Sequence, residues 1–225
     1  MTSPRRALIV IDVQQEYFHG ALPVQHPPRE ESVANVLRAM DRASEAGMPT
    51  VVVQHESPAG APAFAPGTPG FDLHPEVQAR ADRADRHQIK YYSSVFAETG
   101  LADWLAERQV DTVTLVGYMT NNCVLASAAG AEPLGLTVEV LADATGAVHL
   151  GNDAGHADAA DLHVQLLTVL HSHLAAVTST QQWAQAVADG RSIPRGNLVD
   201  SARRGAARHT PRNVTQERAP VPDLY

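Results

Sequence analysis

The sequence predicts a doubly wound α/β domain, a parallel sheet with helices on both faces. Short apolar, β-branched runs recur at 6–12, 50–54, 113–116 and 137–141. They are too short for helices and lack the polar alternation of half-exposed strands. Stretches with helical spacing separate them, and that alternation is the signature of strands joined by crossover helices. Polar or charged residues stand where several runs give out, and in open α/β sheets ligands bind outside the carboxyl ends of the strands.

Taken in order, 6–12 reads as a buried strand ending in Asp12, and 14–20 as a loop at the sheet edge. Phe18 and Leu22 there either wall a pocket or cover the core. Residues 30–46 place Val33, Val36, Leu37, Met40 and Ala43 on one helical face, stopped by Gly47 and Pro49. The strand 50–54 leads into His55-Glu56-Ser57. From 58 to 75 the chain carries five prolines, with Phe64 and Phe71 as its large apolar residues. A loop this long inside a compact domain is a lid, a binding loop or an interface. A short helix is expected in 75–86 and a short strand at 89–92, with Tyr91, Tyr92 and Phe96 just past Lys90. Residues 99–109 read as a helix capped by Thr99 and burying Leu101, Trp104 and Leu105.

The strand 113–116 then meets Gly117, three short polar residues and Cys123, the only cysteine in 225 residues. A helix opening at Cys123 would set the thiol near free N–H groups and the positive end of the helix dipole, lowering its pKa. The alternative is a buried, inert thiol. Lys90 is the only lysine beside 16 arginines, which suggests that a compact ammonium is needed there. After the strand 137–141, Asp143 is assigned to holding loop backbone. A helix at 157–173, a strand at 175–178 and a helix at 181–188 close the domain; there is no internal repeat.

Composition bounds the function. The net charge of −8 argues against nucleic acid, and no apolar stretch is long enough to span a membrane. No secretory h-region or cleavage site precedes the first strand, so a cytoplasmic setting is expected. Residues 1–189 form one domain with ten basic and 22 acidic side chains. Residues 190–225 form a tail with seven arginines, three acids and four prolines; it is either disordered or docks on an acidic surface. His149, His156, His163, His171 and His173 make no i, i+4 helical pair, so no metal is expected. The chain lacks a Gly-x-Gly-x-x-Gly or P-loop motif, so no cofactor is expected.

Asp12 in Ile9-Val10-Ile11-Asp12-Val13-Gln14, Lys90 ahead of Ser94-Val95-Phe96, and Gly117-x-x-Thr120-x-x-Cys123-Val124 occur in that order. The set resembles the isochorismatase-like cysteine hydrolases over residues 6–188. The resemblance implies a three-layer α/β/α fold with a six-stranded parallel sheet, a homo-oligomer (dimer or tetramer), and a cis peptide at Tyr118–Met119. It also implies roles: Asp12 as general base, Lys90 as stabiliser of the thiolate, Cys123 as nucleophile, and the N–H groups of Met119 and Cys123 as oxyanion hole. Phe18, Leu22, His55, Phe64, Tyr91, Phe96, Tyr118 and Asn122 are expected to line the substrate pocket.

Departures narrow the chemistry. Nicotinamidases of this superfamily carry Asp-x-His where this chain has Gln54-His55-Glu56, which speaks against their metal site. Isochorismatases often lack the cysteine, so Cys123 favours a small amide or lactam as substrate. The segment 54–76 looks most like streptothricin hydrolases, and an acidic body suits a cationic substrate. Two alternatives stand: a vinyl-ether hydrolase using Asp12 and Lys90 alone, and a redox-sensing or ligand-binding module.

Overall fold

The computed structural model describes residues 3–209. The prolines of the tail at 211, 220 and 222 lie outside them. In chain order the elements begin with β1 (Arg6–Ile11), α1 (Glu16–His19), α2 (Arg29–Glu45), β2 (Thr50–His55), α3 (Pro75–Ala81), β3 (Arg86–Lys90) and α4 (Leu101–Glu107). Then come β4 (Thr112–Tyr118), a π-helical turn (Thr120–Val124), α5 (Leu125–Ala131), β5 (Thr137–Gly146), β6 (Leu150–Asn152) and β7 (Gly155–Ala157). The chain continues through α6 (Ala159–Val169), β8 (Ala176–Thr178), α7 (Thr180–Ala188) and α8 (Leu198–Arg208).

Six strands form one parallel sheet in the order β3-β2-β1-β4-β5-β8. The chain winds outward from β1 through β2 to β3, then returns to β4 and winds the other way. The switch falls between β1 and β4, and open α/β sheets bind their ligands at the carboxyl ends beside such a switch. The period-2 alternation of strand side chains feeds two cores. Leu8, Val10, Val52, Val116 and Tyr118 pack on one face with Val33, Val36, Leu37, Met40 and Ala43 of α2 and Trp183 of α7. Ala7, Ile9, Ile11, Val51, Val53 and Leu115 pack on the other with Leu101 and Leu105 of α4 and Ala128 of α5. The apolar runs are continuous because both faces are buried.

Several local expectations are corrected. The 14–20 loop contains the one-turn α1. The third strand runs Arg86–Lys90, so Lys90 ends it and Tyr91 lies beyond. The helix expected at 157–173 begins at Ala159 and ends in a π turn, Leu170–Leu174, and a β6–β7 hairpin precedes it. The described part of the tail, 190–209, docks on the domain. Arg6 Nη2 donates to Arg191 O at 2.8 Å, and Gly196 N to His171 O at 3.0 Å. The side chain of Asn197 then caps α8 by accepting from Asp200 N. Asp143 does hold backbone: its Oδ1 accepts from Thr180 N and Oγ1 at the start of α7. No described helix is long and apolar enough to cross a membrane.

Candidate active site

Three strand ends build the site. Asp12 follows β1 directly, with its backbone in the left-handed region at φ 49°, a conformation a non-glycine residue adopts only when its surroundings fix it. They do so here: its N–H donates to Val53 O at 2.9 Å, and its carbonyl accepts from Gln14 N at 2.8 Å. Gln14 then ties three segments together. Its Nε2 donates to His55 O and Phe71 O, and its Oε1 accepts from His55 N. The Pro/Gly-rich loop thereby folds back over the tips of β1 and β2. Gln14 is a supporting residue the sequence reading quoted in the motif but gave no role.

Gly117 makes the approach of β4 possible. Its φ is 101°, and any Cβ there would collide with the carbonyl of Ile11. The Tyr118–Met119 peptide bond is cis. The chain then enters the π turn, which holds Cys123 near its end, followed by α5. Ser127 Oγ donates to Cys123 O at 2.6 Å and accepts from Val95 N at 3.0 Å, pinning that turn to the segment after β3.

Lys90 reaches in from farther away. β2 lies between β3 and β1, so the three strand ends are not mutual neighbours, and the length of the lysine side chain spans the gap. Its Nζ stands 2.8 Å from Asp12 Oδ2 and 3.3 Å from Cys123 Sγ. It also donates to Tyr92 O at 3.1 Å and lies 3.3 Å from His55 Nδ1. Asp12 and Lys90 are fully buried, and Cys123 is 3% exposed. Asp12 Oδ1 has no hydrogen-bond partner among the described residues, an unusual condition for a buried carboxylate oxygen.

Burial and the charges within the trio together set the protonation of all three groups. Desolvation raises the Asp12 carboxyl despite the opposing pull of Lys90. Desolvation works to lower Lys90, but the charges of Asp12 and Cys123 outweigh it and hold the ammonium above its ordinary value. Desolvation, then the neighbouring Asp12 carboxylate, pushes the Cys123 thiol up to about 12. This corrects the helix-dipole expectation. Cys123 sits inside a π turn rather than opening an α-helix, and burial beside a carboxylate dominates. At rest the site is a thiol beside an Asp–Lys ion pair, with the Lys90 ammonium in contact with both partners.

The eight residues expected to line one pocket divide. His55 lies against Lys90 with Phe64 edge-on to its ring at 5.3 Å. Phe18 is buried against His74 and Tyr118, and half-buried Leu22 packs on the same core. Tyr118 is a core residue with no exposed surface, its hydroxyl donating to Ser32 Oγ at 3.1 Å. Phe96 packs on the opposite face, beside α5. Tyr91 is 63% exposed, and Asn122 is exposed as well. Of the eight, His55 stands beside Lys90 with Phe64 against its ring, and Tyr118 is enclosed in the core. Tyr17, to which the sequence gives no role, is a core residue buried between Phe64 and Tyr118 with centroids 5.3 Å from each. The donor set at the end of β2 does not suit a metal. His55 Nδ1 faces the Lys90 ammonium, and Gln54, in the place of a carboxylate, spends its amide on Phe71 O.

Comparison with known proteins agrees with this fold. The chain is 34% identical over 139 residues to the secreted isochorismatase effector Isc1 of Verticillium dahliae, covering 62% of this chain and 71% of that protein. It is 34% identical over 141 residues to a streptothricin hydrolase of Streptomyces noursei, covering 62% of this chain and 49% of that one. A crystal structure from Burkholderia xenovorans LB400, provisionally assigned as an isochorismatase, superposes with a TM-score of 0.90 at 49% identity, over 92% of this chain and 99% of that one. The signature described as the isochorismatase domain matches residues 6–182, and the chain belongs to the isochorismatase family of hydrolases.

Proposed function

We propose that this chain is a cysteine hydrolase that cleaves the C–N bond of a small amide or lactam through an acyl-thioester on Cys123. One observation carries the reading: Lys90 Nζ lies 2.8 Å from the Asp12 carboxylate and 3.3 Å from the sulfur in a water-poor site. A raised thiol beside a raised carboxyl is suited to direct proton transfer, since the two groups sit in one desolvated pocket and neither needs bulk water. Asp12 takes the proton from Sγ, and the thiolate attacks the carbonyl carbon. The oxyanion is held by the backbone N–H groups of Met119 and Cys123, where one such donor is typically worth about 10²–10³ in rate. The tetrahedral adduct collapses, the C–N bond breaks, and the proton passes from Asp12 to the departing amine. Water then attacks the thioester with Asp12 as base, releasing the acid and restoring the thiol. Lys90 keeps the resting Asp12 ionised and offsets the charge on sulfur once the thiolate forms.

The likeness to a streptothricin hydrolase and the acidic body together favour a cationic lactam, drawn in by the field of the protein. A homo-oligomer and a cytoplasmic, reducing setting belong to the same proposal. Intact-mass analysis after mixing with primary amides and lactams tests it. The expected result is an acyl adduct at Cys123 that decays by hydrolysis, and turnover that disappears in Cys123→Ala. Retention of turnover in Cys123→Ala would replace this mechanism with acid catalysis by Asp12 and Lys90 alone, on a vinyl ether.

A further inference from the structure

Thr120 and His163 form a buried pair beside the nucleophile turn that the chemistry above leaves unused. Thr120 opens the π turn and is fully buried; His163 sits on α6 and is 3% exposed. The imidazole bridges two elements. Its Nε2 lies 3.1 Å from Ala142 O on β5, and its Nδ1 2.9 Å from Thr120 Oγ1.

The direction of these bonds is fixed by chemistry. A carbonyl oxygen can only accept, so Nε2 carries the proton and Nδ1 presents a lone pair. The Thr120 hydroxyl must then donate to Nδ1. Burial, then the neighbouring His26 ring 5.3 Å away, pushes His163 down to about 4. The ring is therefore neutral near pH 7 and the direction does not reverse. Thr120 lies between Met119 and Cys123, and Met119 O accepts from Asn122 N and Val124 N, both at 3.1 Å. The two backbone donors assigned to the oxyanion thus belong to one turn, and the hydroxyl of Thr120 is its side-chain tether to the sheet.

We propose that His163 is a positioning residue: through Thr120 it anchors the nucleophile turn to β5 so that the N–H groups of Met119 and Cys123 converge on the substrate oxygen. This rests on the acyl-thioester reading above. A histidine that merely fills core space would leave the turn unaffected by loss of its hydrogen bonds.

Four single variants test it: His163→Leu, His163→Gln, Thr120→Val and Thr120→Ser, with the Leu/Val double. Glutamine can donate to Ala142 O and accept from Thr120, and serine keeps the hydroxyl. The first readout needs no substrate: amide hydrogen exchange across 119–124, expected to rise roughly tenfold or more in His163→Leu and Thr120→Val. The second uses any amide that acylates wild-type Cys123. In those variants kcat should fall by about ten- to a hundredfold, a misplaced-donor penalty, with KM within about twofold. Alkylation of Cys123 by iodoacetamide, which needs no oxyanion hole, should stay within about threefold. The double variant should be no worse than either single, and the Gln and Ser variants should recover most of the loss. Unchanged exchange in Thr120→Val, additive losses, or alkylation falling in step with kcat would each overturn the proposal. If no amide acylates the wild type, the acyl-thioester reading fails by itself, and exchange still decides whether His163 holds the turn. Should His163→Leu not fold, the glutamine, valine and serine variants carry the comparison.

Discussion

The sheet carries two buried ion pairs, and they are finished differently. On the α2/α7 face, Arg6 donates from Nε and Nη2 to the Glu139 carboxylate at 2.8–3.1 Å, and its Nη2 also reaches Arg191 O. Glu139 Oε2 accepts in addition from Thr114 Oγ1, which accepts from Trp183 Nε1. At the carboxyl ends, Asp12 faces Lys90 at 2.8 Å, yet Oδ1 has no donor among the described residues and the third member is a neutral thiol. A fork-shaped guanidinium saturates its carboxylate; a single ammonium leaves lone pairs unspent. The first pair fixes β1, β4, β5, α7 and the start of the tail in place. The second keeps an oxygen able to accept a proton, which a stability-optimised pair would not leave exposed to so large a desolvation cost.

The largest test of that contrast is Asp12→Asn. Turnover should drop by about 10⁴-fold, the scale expected when the base of a nucleophile–base unit is lost. Alkylation of Cys123 should move the opposite way. The Asp12 carboxylate is the second cause, after burial, of the raised thiol, and its removal leaves Lys90 to favour thiolate. In the wild type, iodoacetamide reaction should be slow at pH 8 and climb toward about pH 12, because only the thiolate reacts. Below the ordinary thiol value, folded and unfolded chains both hold the proton. Above it only the folded chain does, so this contribution is lost as pH rises through about 12. Equal falls in turnover and alkylation in Asp12→Asn would mean that Asp12 shapes the pocket instead of moving a proton.

Next in size are paired replacements read by denaturant unfolding. Lys90→Met alone should cost roughly 3–5 kcal/mol, since it strands a buried carboxylate. Asp12→Asn with Lys90→Met should be neutral or gain about 1–4 kcal/mol while abolishing turnover, because an under-satisfied pair has been removed whole. Arg6→Met with Glu139→Gln should instead lose about 1–3 kcal/mol, as Arg191 O and Thr114 give up partners. Stabilisation by both double variants would erase the distinction between the two pairs.

How much of this was legible from residues depends on range. The continuous apolar runs of β1, β2 and β4 are local features of the chain, so the buried strands were readable. Asp12, Lys90 and Cys123 were readable as charges and a thiol at strand ends. What failed needed three dimensions. The thiol's shift depends on burial and on Asp12, 111 positions away in sequence, whereas the dipole argument saw only the next turn. Tyr118 and Phe96 looked alike as aromatics near a motif, yet they point to opposite faces of the sheet. The β6–β7 hairpin and the cap at Asn197 are short polar pieces with no apolar period. Gln14 and His163 act through carbonyls of distant strands, and no spacing rule reports that.

The smallest test is Trp183→Phe, and it probes the saturated pair where it is farthest from chemistry. The indole Nε1 donates to Thr114 Oγ1 at 3.0 Å, and the ring is fully buried in the α2/α7 core. Phenylalanine keeps most of the apolar contact and removes the donor. Thr114 still donates to Glu139 Oε2, so the carboxylate keeps its partners and no charge is stranded. The cost should be one net hydrogen bond plus a small void, about 1–2 kcal/mol, read as a fall in Tm of roughly 2–8 °C for a domain of this size. Turnover per folded molecule should stay within about twofold, because Lys90, Asp12 and Cys123 share no hydrogen bond with this network. A drop in kcat at constant KM would show that strain crosses the sheet from one ion pair to the other. The two would then be coupled parts of a single device.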